Sequence, residues 1–288
     1  KIGRDIDFQV GGSLSDASAV VTEYANPTGN NPAGSWYKGR RVGEIWGYRV
    51  DGIIQTQAEA DQYNSTYNTS YFTTKPWEPG DLKFRDLNGD KNINNGKNVL
   101  GDMGDVEVIG NTTPRYQYTI NGMISWKGLS LSLMFQGVGK RDWNPAGNIY
   151  FWGSGPYAQV TVFKEHLDYW TKDNPNAYYP RPYINTAGAV GAYSAKTLRH
   201  TTDRYLQSAA YCRLKNITLS YILPKHWVKK ANLEQVRVFF SGENLLTFTK
   251  LKGMFDPEGV FTQNDYNKEG GKNYPMNKVV SFGLTVNL

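Results

Sequence analysis

The chain has 288 residues, with 32 Lys and Arg against 26 Asp and Glu, a net charge of +6 and a mean hydropathy of −0.57. No apolar run approaches the ~18 residues of a membrane helix, which excludes a helical membrane protein. Barrels stay open, because a barrel strand turns only every second residue to lipid. Basic residues are scattered, with only short pairs such as Arg40-Arg41 and Lys229-Lys230, so no nucleic-acid partner is expected. Aromatics make up 14% of the chain, an excess that suits both barrel girdles and sugar-binding surfaces. The single Cys212 has no partner for an internal disulfide.

In chain order, the opening KIGRDIDFQV is charged and reads as a strand around Arg4 to Val10, not as a signal peptide. A second strand is expected around Glu44 to Ile54, followed by a long connection from Gln55 to Pro114. Inside that connection, DLNGDKNIN places Asp86, Asn88 and Asp90 at the one-three-five spacing of a calcium loop, with Ile93 at the hydrophobic eighth position. Lys91 stands where glycine makes the sharp turn, and Lys97 where a bidentate Glu belongs, so Asp102 or Asp105 would have to fold back as a ligand. The other reading is an Asx-rich turn held by its own side chains. A structural calcium ion is the one cofactor the sequence suggests.

The clearest unit is RYQYTINGMISWKGLSLSLMFQG. Tyr116, Tyr118, Ile120, Ile124 and Trp126 share one face, and Gln117, Thr119, Asn121, Met123 and Ser125 the other. Lys127-Gly128 supplies a tight turn. Beyond it Leu129, Leu131, Leu133 and Phe135 alternate with Ser130, Ser132, Met134 and Gln136. Each arm has about the 9–11 residues that cross a bilayer as a tilted strand. A hairpin in a soluble sandwich has the same period.

Tyr150, Phe151, Trp152 and Tyr157 follow, then Tyr169, Trp170, Tyr178, Tyr179 and Tyr183. These loop aromatics are candidates for contact with substrate or partner, or for packing the loops together. Further strands are expected around Tyr205 to Leu223, Gln235 to Phe248 and Lys278 to Leu288. The last has Val280, Phe282, Leu284, Val286 and Leu288 on one face. Between them PKHWVKKANLEQ makes a short connection, with His226 and Trp227 read as a polar connector carrying an interfacial anchor.

Long and short connections alternate, as in outer-membrane barrels with short periplasmic turns and long outer loops. The link from Thr22 to Gly43 breaks the scheme. About seven strands are too few for a wide barrel, and single-chain bacterial barrels have an even number. On the barrel reading Ile120, Ile124, Leu129, Leu131, Leu133, Phe282, Leu284, Val286 and Leu288 face lipid.

Read together, VGEIWGYRVDGI, PGDLKFRDLNGD, the IGNTTPRYQY hairpin, HLDYWTKDNPNAYYPRP, YCRLKNITLSYILP, VRVFFSGENLLTFTK with FDPE, and YPMNKVVSFGLTVNL resemble the C-terminal region of SusC/RagA-type TonB-dependent outer-membrane transporters. The resemblance covers Val42 to Leu288. It implies an all-β, antiparallel transmembrane barrel of about 22 strands with long extracellular loops. This chain would contribute the C-terminal strands, without the plug and the N-terminal strands. It also implies TonB-driven import of oligosaccharides or peptides, a SusD-like surface lipoprotein over the outer face, and TonB contacted through the missing N-terminal part. Cys212 stands where the family usually has leucine, and Leu288 where it has an aromatic residue. No catalytic constellation is present, and no enzyme is expected. A secreted carbohydrate-binding β-sandwich is the alternative.

Overall fold

Period-two patterning is realised as one large sheet in the computed structural model, which describes residues 5–145, 164–183, 196–253, 255–260 and 276–288. In chain order the strands are β1 (Ile6–Ser15), β2 (Glu44–Tyr48), β3 (Val50–Ile53), β4 (Leu82–Phe84), β5 (Val106–Asn111), β6 (Arg115–Trp126), β7 (Leu129–Lys140), β8 (Asp142–Trp143), β9 (Gln207–Ser208), β10 (Tyr211–Ile222), β11 (Gln235–Thr249) and β12 (Val279–Asn287). Helix α1 is Gln57–Thr66 and helix α2 is Lys225–Val228. The large sheet has six strands in the order β1-β6-β7-β10-β11-β12, every neighbour antiparallel.

The sheet therefore has six strands among the described residues, not about seven. Glu44 to Ile54 was expected to add one. Instead it splits into β2 and β3, which pair with β5 and β4 in separate two-stranded ribbons. Burial explains the difference. Ile45, Tyr48, Ile53 and Ile54 are all buried, without the one-sided alternation of a wall strand. The removal of this strand also removes the awkward link from Thr22 to Gly43, because everything between β1 and β6 is one long excursion. Connections then run long, short, long, short, long. The turn at Lys127-Gly128 has positive φ at both residues, 48° and 89°, as a two-residue hairpin of this hand requires.

Antiparallel order brings all three long excursions to one end of the sheet and both short turns to the other. The excursions do not hang separately. Tyr48, Ile54, Trp77, Leu82, Phe84 and Ile93 from the first pack with Trp143, Trp170, Tyr179 and Tyr205 from the second and Leu251, Phe255 and Val260 from the third. This cap has its own core, apart from the sheet. The expected strand from Tyr205 begins only at Tyr211, because Tyr205 is a core residue of the cap.

Candidate functional site

Opposed residues on neighbouring strands point to the same face, so the register shows which side chains line up. Phe8, Ile124, Leu131, Leu219, Phe240 and Phe282 form one row across all six strands. Ile6, Trp126, Leu129, Tyr221, Val238 and Leu284 form the next. Every residue expected to face lipid from β6, β7 and β12 lies on this oily face, and Leu288 follows β12. Ile120, Ile124, Leu129, Phe282, Leu284 and Val286 are exposed, with Phe282 at 79%. Leu131 and Leu133 are half-buried by their strand neighbours. No second sheet covers the oily face among the described residues, as a β-sandwich would require.

The opposite face is polar. Its central row is Gln9, Met123, Ser132, Thr218, Ser241 and Ser281. Ser125 and Ser130 hydroxyls meet at 2.8 Å, and Arg237 donates to Ser220 Oγ at 3.1 Å. Apolar side chains there include Met123, Met134, Val138 and Phe239, and the Phe239 ring lies over Gly283. A Cβ there would sit 2.2 Å from Phe239 Cζ, so the glycine gives the ring its place.

A β-bulge at Lys215 interrupts β10. It switches the parity, so Cys212 and Leu214 join Ile217, Leu219 and Tyr221 on the oily side. It also turns Lys215 toward Glu258, at 2.8 Å. Beside it the buried Arg213 guanidinium meets Asp256 at 2.8 Å and Glu258 at 3.0 Å. Burial works against charge on Asp256, but the Glu258 N–H and Arg213 outweigh it and hold the carboxyl below its usual range. The YCRLKN and FDPE segments thus form one ionic lock, tying the third excursion to the sheet. Sequence reasoning noted both segments without pairing them. Two cations two residues apart on a strand, Arg213 and Lys215, and two acids two residues apart, Asp256 and Glu258, were the available signal.

A second buried pair lies in the cap. Lys196 Nζ sits 2.9 Å from Asp81, both fully buried, and donates to the Pro76 carbonyl at 2.7 Å. Burial pushes the Asp81 carboxyl up, against the pull of Lys196 and the Tyr183 hydroxyl. His200 packs against Phe72 and Tyr48, and burial lowers it to about 4.

Of the loop aromatics, Trp170 and Tyr179 are buried in the cap core and Tyr169 and Tyr178 pack against it. These four serve packing. Tyr150, Phe151, Trp152 and Tyr157 lie outside the described residues. In the Asp86 loop, the Asp86 carboxylate accepts from Gly89 and Lys91 N–H at 2.7 and 2.9 Å. Asn88 Oδ1 accepts from Asp90 N–H at 2.9 Å, and Asp90 Oδ1 from Asn92 N–H at 2.6 Å. Asp105 folds back, accepting from Leu87 and Asn94 N–H at 2.7 and 2.8 Å, while Asp102 pairs with Lys97. Among the described residues no three His, Cys, Asp or Glu side chains converge as a metal-binding group. Backbone N–H groups engage these loop oxygens in stacked Asx turns.

No protein-family model matches the chain. Two TonB-dependent receptors of Formosa agariphila do. The receptor P3 is 29% identical over 257 residues, covering 86% of this chain and 22% of that protein. The receptor P26 is 28% identical over 217 residues, covering 73% and 20%. Among solved structures, the RagAB peptide importer in its open-open state superposes with a TM-score of 0.64 at 20% identity, over 99% of this chain and 27% of the other. Its closed-closed state gives 0.63 at 21%, over 99% and 28%. These proteins are named as receptors and importers. Sequence and fold bear out the resemblance read from the motifs: the chain is similar along most of its length to TonB-dependent receptors, shares the fold of the matching part of RagAB, and spans about a fifth of the length of its curated relatives.

Proposed function

We propose that this chain forms the C-terminal strands of a closed outer-membrane barrel, of the wide, plugged kind with about 22 strands. The barrel imports a nutrient of the oligosaccharide or peptide class. The observation that carries this reading is the uncovered oily face running across six antiparallel strands, with polar side chains behind it and every long connection at one end. In a barrel the oily rows contact hydrocarbon and the polar rows line a wet lumen. The cap then stands on the extracellular side, where a SusD-like surface lipoprotein covers it. Energy comes from TonB, through parts of the receptor beyond this chain. The structural neighbours are named as peptide importers, which supports import as the activity and leaves both substrate classes in the reading.

The test is uptake by cells that carry or lack the whole receptor, with labelled oligosaccharides and labelled peptides supplied separately. Loss of uptake of one class on deletion, and on collapse of the proton-motive force, is expected. A surface lipoprotein should co-purify with the detergent-solubilised receptor. Uptake that continues unchanged in the deletion strain overturns the proposal.

A further inference from the structure

The two short connections meet at the end of the sheet away from the cap. Ile222 N–H donates to the Gly128 carbonyl at 2.9 Å, which sets the Lys127-Gly128 turn beside the segment from Leu223 to Glu234. That segment folds as α2 and a 3-10 turn over Lys229–Ala231, ended by Asn232 in the left-handed region with φ 54°. Val228 of α2 and Val236 of β11 are both buried where α2 packs on β11, and Val236 stands on the oily face in register with Val286. With Val228 as the anchor, Lys225, His226, Trp227, Lys229 and Lys230 remain exposed.

Among the described residues none of these three lysines has an acidic partner within 4.0 Å, and Glu234 is the only acid in the same connection. On the adjacent turn Lys127 lies over the Trp126 ring at 5.5 Å, with Asp5 3.9 Å away. Trp126 and Trp227 are 51% and 57% exposed. Cations and half-exposed indoles therefore border the oily rows where these end.

We infer that this end of the sheet binds the phosphate headgroup of an anionic phospholipid. The inference rests on the membrane-spanning reading above, with the short turns at the phospholipid leaflet. Indoles settle at headgroup depth with the ring toward hydrocarbon and the N–H toward water. Lysines beside them extend to phosphate height and keep their stems in the apolar zone. A soluble acidic partner would have to displace lipid from Trp126 and Leu129 to reach the same cations, so lipid is the occupant that the continuity of the patch favours.

The test uses the whole receptor in nanodiscs of phosphatidylcholine with and without phosphatidylglycerol, counting retained lipids by native mass spectrometry. Wild type should retain phosphatidylglycerol preferentially, and raising salt from 50 to 500 mM should weaken that preference. Each lysine near an anionic surface is worth about five-fold, so Lys225→Gln, Lys229→Gln and Lys230→Gln together should cut the preference at least ~10-fold, allowing for screening. A matched triple change on the cap, at Lys75, Lys91 and Lys97, should leave it unchanged. Inorganic phosphate at millimolar concentration should not compete. An unchanged preference in the α2 variant, or displacement by free phosphate, overturns the inference. Heat-modifiable migration of the variant reports insertion separately, so loss of lipid preference is distinguishable from failure of the barrel reading.

Discussion

An arginine on the oily face should cost far more than one placed a single residue away. Leu133 lies halfway between Leu129, after the tight turn, and Gly137, where the strand becomes buried. Eight strand steps of about 3.4 Å span ~27 Å, which at a tilt of about 45° is ~19 Å of depth. Leu133 is then about 10 Å from either edge of the oily band. Its cross-strand neighbours are Gly122 and Ile217, neither of which offers a countercharge. On the proposed barrel reading, Leu133→Arg should therefore destabilise the folded protein by about 2–4 kcal/mol, the range for arginine near a bilayer midplane. That is a ~30-fold to several-hundred-fold shift toward the unfolded form. Ser132 stands between Met123 and Thr218 on the polar face. Ser132→Arg should cost no more than about 0.5 kcal/mol. The assay is urea-dependent folding of the whole receptor into vesicles, read as heat-modifiable migration. Equal damage from both variants, or greater damage from Ser132→Arg, would refute the assignment of faces.

Arg213→Ala leaves Asp256 buried without its cation and should cost about 3–5 kcal/mol; limited proteolysis should then cut within the third excursion. His200 holds its proton more weakly in the folded cap than in the unfolded chain, so the unfolded state gains protons first as pH falls from 6.5 toward about 4. Stability should drop by up to about 3 kcal/mol over that window, and wild type minus His200→Phe, compared by thermal unfolding at pH 7 and pH 4.5, isolates this loss from the opposing contributions of Asp81 and Asp105. Gly283→Val should weaken β12 pairing by driving a side chain into the Phe239 ring, and Phe239→Ala should recover part of the loss in a double-mutant cycle; additive losses would sink this account. Removal of calcium by a chelator should leave the melting temperature within about 1 °C, since backbone hydrogen bonds already engage the Asp86 loop oxygens. A larger fall would identify a bound ion.

The sheet was legible because its rule is local. A strand with one oily face repeats every two residues, and Tyr116 to Phe135 or Val280 to Leu288 carry that period without gaps. The cap follows no period. Trp77, Ile93, Tyr205 and Val260 become neighbours only through three excursions that fold together, so burial there has no signature in sequence. Helix α1 went unseen because only Ala60 and Tyr63 are buried. A Thr-x-x-Glu start signal was there to be read: the Thr56 hydroxyl accepts from Glu59 N–H at 3.1 Å, and the Glu59 carboxylate accepts from Gln55 N–H at 2.8 Å. The β10 bulge was hidden because Cys212 and Leu214 on one parity, and Ile217 and Leu219 on the other, read as a loss of pattern rather than as an inserted residue.

The shared core of the cap also fixes an order of events. Val260 and Leu251 close a cluster begun by Tyr48 and Ile54 some two hundred positions earlier. Until the segment from Leu251 to Val260, beyond β11, has left the ribosome, Trp77, Phe84 and their neighbours lack side chains that complete their burial. Until then they remain exposed apolar surface, and the cap sets only once residues from all three excursions are present.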